Sequence, residues 1–166
     1  MSAAISEIND RAPQAGDLIT GPVGVNARVE TASLVPGSGQ VAAGQFVRRV
    51  GKGRARSIGA NPNDIDGNPG ASNLYGAVRR VGNAPVGNVY RAGQELPVIT
   101  DGEFMAMASK AVGDGDPVFV VRATGVLTNV DNAGNNVQII GARWSSTLAA
   151  AGLASIQLGR GVIPAV

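Results

Sequence analysis

Two closely spaced carboxylate pairs, Asp101 with Glu103 and Asp114 with Asp116, are the residues of this 166-residue chain whose spacing suits chemistry best. A glycosidase needs two such groups, one to protonate the leaving oxygen and one to act as base or nucleophile. Each pair, however, straddles a glycine, and acidic residues in Asp-Gly turns commonly bond the backbone to fix the turn. The turn reading is favoured, and a carboxylate-dependent hydrolase stands only as an alternative.

Other chemistries are excluded by what is missing. There is no His and no Cys. The usual physiological-pH acid/base group, the Ser-His-Asp arrangement, thiolate zinc sites and cysteine nucleophiles all fall away together. A serine nucleophile would need a lysine partner, and only Lys52 and Lys110 are present. The loop "NPNDIDGNPG" carries Asp64 and Asp66 before Gly67 and invites comparison with a calcium loop. With Gly67 as the turn glycine, the first ligand position falls on Pro62 and the twelfth on Asn73, so the comparison fails. "GKGRARSIG" lacks the spacing of a phosphate loop. No catalytic residue, metal or cofactor is expected.

The remaining chemical feature is charge. "RRVGKGRAR" brings together Arg48, Arg49, Lys52, Arg54 and Arg56 with no acidic residue among them. With a net charge of only +2 and Phe46 as the one aromatic nearby, stacking on bases is poorly supported, so no nucleic-acid partner is expected. A protein-contact patch is the better functional reading, beside the bland one of a solvated strand end and loop. Glu95, Asp101, Glu103, Asp114 and Asp116 offer a complementary charge, which makes head-to-tail or ring association conceivable.

The elements that position these residues read as β. Apolar residues make up 44% and charged residues 16%, with 24 Gly and 9 Pro. From Gly16 onward, short β-prone runs ("VAAGQFVRRV", "LYGAVRRV", "ELPVIT", "EFMAMA", "PVFVVRA", "VQIIGARW", "LASIQL") alternate with Gly, Pro, Asn and Asp clusters. That punctuation predicts an all-β fold, a small β-sandwich or barrel with Gly/Pro-rich loops. Residues 1–16 are small, polar and unpatterned and are expected to form an extended N-terminal arm, with residues 17–166 as one β-rich domain. No basic leader with an apolar core and no membrane-length apolar run is present, so no membrane partner is expected.

The stretch "ELPVITDGEFMAMA" is predicted to be a hairpin turning at Asp101-Gly102. Thr100 then faces Glu103, Val98 faces Met105, Leu96 faces Met107, Ile99 faces Phe104 and Pro97 faces Ala106. A helix over "DGEFMAMASKAVG" is the competing reading. A hairpin apolar on both faces needs the core on one side and a second chain on the other. Leu96, Val98, Met105 and Met107 are accordingly expected contact residues, with Ile5 and Ile8 of the arm and the basic run Arg48, Arg49, Lys52, Arg54 and Arg56.

The C-terminal half carries a resemblance. "YRAGQELPVITDGEFMAMASKAVGDGDPVFV", then "RATGVLTN", then "GARWSSTLAAAGLASIQL" resembles, over roughly residues 88–160, the structural cement proteins of tailed bacteriophages. The matching features are Ala92 and Gly93, Asp101 and Gly102, Val112 to Val118 with Gly115, Asp116 and Pro117, Thr124 and Gly125, and Trp144 through Leu158. The resemblance implies a non-enzymatic decoration subunit bound to the outside of a shell of HK97-like major capsid protein. It also implies a small homo-oligomer, commonly a trimer, made in the host cytoplasm and carried on the virion. The alternative within virion components is a tail or fibre adhesin binding host glycan, against which the scarcity of aromatics leans.

Overall fold

A computed structural model describes residues 13–19, 27–36, 40–57, 74–80, 89–121 and 123–159, and every regular element in them is a β-strand. In chain order these are β1 (Arg28–Leu34), β2 (Val41–Ala42), β3 (Phe46–Gly51), β4 (Arg54–Ser57), β5 (Leu74–Val78), β6 (Val89–Tyr90) and β7 (Glu95–Ala108). They are followed by β8 (Pro117–Val121), β9 (Leu127–Thr128), β10 (Asn136–Trp144) and β11 (Gly152–Leu158). The all-β expectation holds, and the choice between sandwich and barrel resolves to barrel.

One sheet runs β1-β4-β3-β5-β7-β11-β10-β8-β9, and extra pairings of β1 with β7 and of β7 with β9 fold it back on itself twice. The result is two small rings. The first is β1-β4-β3-β5-β7 and the second is β7-β11-β10-β8-β9, and the long strand β7 belongs to both. Closure supplies partners to strand edges that would otherwise stay open. The separate β2–β6 ribbon pairs Val41 with Tyr90 and packs both into the first ring's core.

Side-chain alternation assigns the cores. In β3, β5 and β7 the neighbours Val47, Val78 and Val98 point into the first ring, with Ala32, Leu34, Ala55 and Leu96. Phe46, Ala77 and Ile99, one residue out of phase, face the other way and join the second core. That core is filled from all five of its strands, among them Phe104, Ala106, Val118, Val120, Leu127, Ile139, Trp144 and Ile156. The outer face of one barrel is thus the packing surface of the next.

Neither the hairpin nor the helix forms at residues 95–108. Thr100, Asp101, Gly102 and Glu103 continue as extended strand, so Leu96 does not meet Met107 and Val98 does not meet Met105. The reason is a change of partners. Residues 95–101 pair with β1, and Val98 and Ile99 also pair with β5, whereas residues 102–108 pair with β11 from Leu158 to Gly152. The Asp-Gly signal marks the point where the strand passes from one barrel to the other. Gly102 has φ +128, and a Cβ there would stand 2.9 Å from the Ala27 Cβ, so glycine serves a bend and a close approach instead of a turn.

Of the expected arm, residues 1–12 lie outside the described residues, and its last residue, Gly16, is hydrogen-bonded along β7. Gly16 N–H donates to Met105 O, Met105 N–H donates to Asp17 O and Ile19 N–H donates to Glu103 O. Leu18 is bridged to Phe104 in antiparallel fashion. The segment from Gly16 to Ile19 therefore lies along the second half of β7, and Gly16 O accepts from Arg80 N–H to tie it to the end of β5.

Candidate functional site

One carboxylate of each pair, Asp116 and Glu103, serves as a structural acceptor. Asp116 Oδ2 accepts from Gly113 N–H at 2.8 Å and from Asn129 Nδ2 at 2.7 Å, closing the turn in which Gly115 takes φ +87. The backbone N–H of Gly113 first, and the Asn129 amide second, hold the Asp116 carboxyl below the usual carboxylate range. Asp114 is exposed, and its backbone N–H donates to Thr147 Oγ1. Glu103 Oε1 accepts from Ser145 Oγ at 2.7 Å, and the same hydroxyl lies 2.8 Å from Ser155 Oγ, so this carboxylate ties β7 to the start of the loop after β10. Asp101 stands across the ladder from Arg28.

A general acid or base works best with a pKa near the operating pH. Among the described residues, the groups with a resolved shift both move away from neutrality, Asp116 downward and the Tyr90 hydroxyl upward through burial. Among the described residues no three acidic side chains gather as metal ligands. Asp64, Asp66 and Gly67 lie outside the described residues.

The basic run is a hairpin. Arg48 and Arg49 lie within β3, Lys52 and Gly53 make the turn, and Arg54 and Arg56 lie on β4. Gly53 takes φ +65, the left-handed geometry that a tight turn needs. Lys52 and Arg54 are exposed at the tip beside Val50, itself 37% exposed. Arg49 Nη2 lies 3.4 Å from Glu30 Oε2, and Arg28 Nη2 lies 3.0 Å from Glu30 Oε1, which places two cations on one carboxylate. Arg48 stands directly across the ladder from Arg56, which brings two positive charges onto facing positions of the hairpin. Sequence reading found the charges but took the stretch for a strand end and loop. The strand β4 escaped it because "RARS" has no apolar alternation, yet Ala55 is fully buried.

The residues expected at the two-faced hairpin separate. Leu96 and Val98 are core residues of the first barrel, at 1% and 0% exposure, so neither presents a surface for a partner. Met105 is half-buried beneath the segment from Gly16 to Asp17. Only Met107 stays open, at 55% exposure.

Met107 forms part of a pocket of about 300 Å³ between the β2–β3 turn at Ala42–Gln45 and the approach to β9 at Gly125–Leu127, with Gln14 and Ala15 on its rim. Val126, 38% exposed, adds a second open apolar side chain. No charged residue lines it. Sequence reading named Met107 but not this groove, because its walls come from four separated stretches of chain. Ile5 and Ile8 lie outside the described residues.

Two solved structures align with the chain. A chain of "The capsid of Myoviridae Phage XM1" superposes with a TM-score of 0.61 at 18% identity, over 92% of this chain and 96% of that one, which shows a common fold. A chain of "The crystal structure of head fiber gp8.5 N base in bacteriophage phi29" aligns at a TM-score of 0.42 and 11% identity, covering 80% of this chain and 94% of that one. No curated protein matches the chain. The family model described as "Structural cement protein (E217 gp24/Pam3 gp6)" matches residues 13–159, from the segment laid along β7 to the end of β11, and the chain belongs to that family.

Proposed function

We propose that the protein binds the outer surface of a phage head built from HK97-like major capsid protein and stabilises it by bridging neighbouring capsomers. It acts as a small homo-oligomer, a trimer, and performs no chemistry. The observation that carries this reading is the family match over residues 13–159, which takes in both barrels. The XM1 capsid chain, which shares the fold, comes from a phage capsid structure and supports the same setting.

The geometry agrees with a binding role. The acidic groups with visible partners are used to close turns and join strands, whereas Lys52 and Arg54 stand exposed at a hairpin tip. The contacts assigned to the shell or to sister subunits are the hairpin from Arg48 to Arg56, the open methionine edge at Met107, and Ile5 and Ile8 in an arm of residues 1–16 preceding the domain of residues 17–166. A stable contact buries about 1,200–2,000 Å². Repetition over a lattice turns modest single affinities into a durable clamp.

The test is direct. Purified protein added to expanded shells lacking it should bind at micromolar concentration and raise their rupture temperature. Absence of binding, or binding without any rise, would sink the proposal.

A further inference from the structure

The pocket around Met107 is an open apolar groove among the described residues. Its volume of about 300 Å³ sits at the lower end of ligand pockets, which span roughly 300–1,000 Å³. Its walls suit an aliphatic guest: Ala15, Ala43, Val126 and the flexible thioether of Met107, with Gln14 and Gln45 as neutral polar edges.

We propose that this groove receives the N-terminal segment of a second copy of the chain, with Ile5 and Ile8 as its anchors. Three observations select that occupant. First, Gln14 and Ala15 line the pocket, so the segment departs from the groove itself. Second, Gly16 to Ile19 run antiparallel to β7, with Ile19 beside Glu103 and Gly16 beside Met105, so Ala15 and Gln14 continue toward Met107 at the edge of the groove. Third, Pro13 has a fixed φ, and the residue before a proline is biased to the extended form. A return into the chain's own groove would need a reversal at its stiffest point.

Twelve extended residues span about 40 Å, enough to reach a neighbour. In "SAAISEIND" Ile5 and Ile8 are the large apolar side chains, set among small and polar residues. Each copy gives one segment and receives one, an exchange that assembles copies without enlarging either barrel core. The inference rests on the self-association in the proposed function, but its test uses purified protein alone. Failure here leaves shell binding standing, and failure of shell binding leaves this result readable.

The chain contains no Cys, so introduced thiols report without background. Full-length Ile8→Cys protein is mixed with full-length Met107→Cys protein under mild oxidation, and the products are separated without reductant. A disulfide-linked heterodimer is expected, several-fold above that from mixing Ile8→Cys with Ile140→Cys, whose thiol is exposed on β10 outside the groove. A yield no higher than this control overturns the proposal. So does a bond that, in protein carrying both Ile8→Cys and Met107→Cys, forms only within single chains. In sedimentation, Ile5→Asp/Ile8→Asp protein should shift to a lighter species than the unaltered chain, and an unchanged profile overturns the proposal as well.

Discussion

Phe46 of the first barrel and Phe104 of the second meet edge to face, with ring centroids 5.9 Å apart and planes inclined at 66°. Both are buried, and both stand where the barrels press together around β7. Phe46 reaches this joint because it is one residue out of phase with Val47, which fills the first barrel. The two barrels are therefore coupled through packing as well as through the shared backbone.

Removal of that coupling should be costly. Phe104→Ala is expected to lose about 3–5 kcal/mol, the range for deleting a buried aromatic ring. Urea unfolding followed by Trp144 fluorescence would measure it, and a loss well under 1 kcal/mol would contradict the joint described here.

Glycines should differ sharply with position. A Cβ at Gly76 would lie 2.1 Å from the Ile99 carbonyl oxygen, so Gly76→Ala must push β5 off β7 and should cost about 3 kcal/mol. Gly93 has φ +86 but open space around it, so Gly93→Ala meets only backbone strain of about 1–2 kcal/mol. Parallel denaturant titrations would rank the pair, and the reverse order would refute the close approach.

Acid stability should depend on Asp116. Its carboxyl is held below the ordinary value by the Gly113 N–H and then the Asn129 amide, so the ionised form is favoured by folding. The contribution is complete above the unfolded value, about 3.9, and is lost as pH falls through the lower folded value. Asp116→Asn should flatten this part of the stability curve below about pH 4 while leaving the fold intact at neutral pH. An unchanged acid limb in thermal melts would contradict the assignment.

The hairpin tip should govern attachment to the shell through its charge. Lys52→Glu/Arg54→Glu protein is expected to bind shells more weakly, by up to about fivefold for each exposed pair lost, and less steeply with salt than the unaltered chain. Shell pull-down at two ionic strengths would show it. Equal affinity and equal salt slope would remove the hairpin from the contact surface.

Much of the architecture was legible in single stretches. Runs such as "PVFVVRA", "VQIIGARW" and "LASIQL" became β8, β10 and β11 because apolar, β-branched segments bounded by turn residues have few other ways to bury one face. The Gly113–Asp116 turn was legible for the same local reason. β1 was not: "RVETASL" hides its buried Ala32 and Leu34 among polar residues, and only the surrounding barrel makes those positions core.

By itself the sequence determined that the regular elements among the described residues would be β, that turns would fall within residues 112–117 and 130–136, and that cations would cluster between residues 48 and 56. Each of these follows from chemistry within a few neighbouring residues. Only the tertiary structure decided that Asp101-Gly102 lies inside a strand, because β1 and β5 claim one half of β7 and β11 the other, and this cross-chain pairing outweighs a local turn preference. The same long-range pairing buried Leu96 and Val98 and left Met107 open. Burial is set by which strands arrive as neighbours, and no local run of residues encodes that.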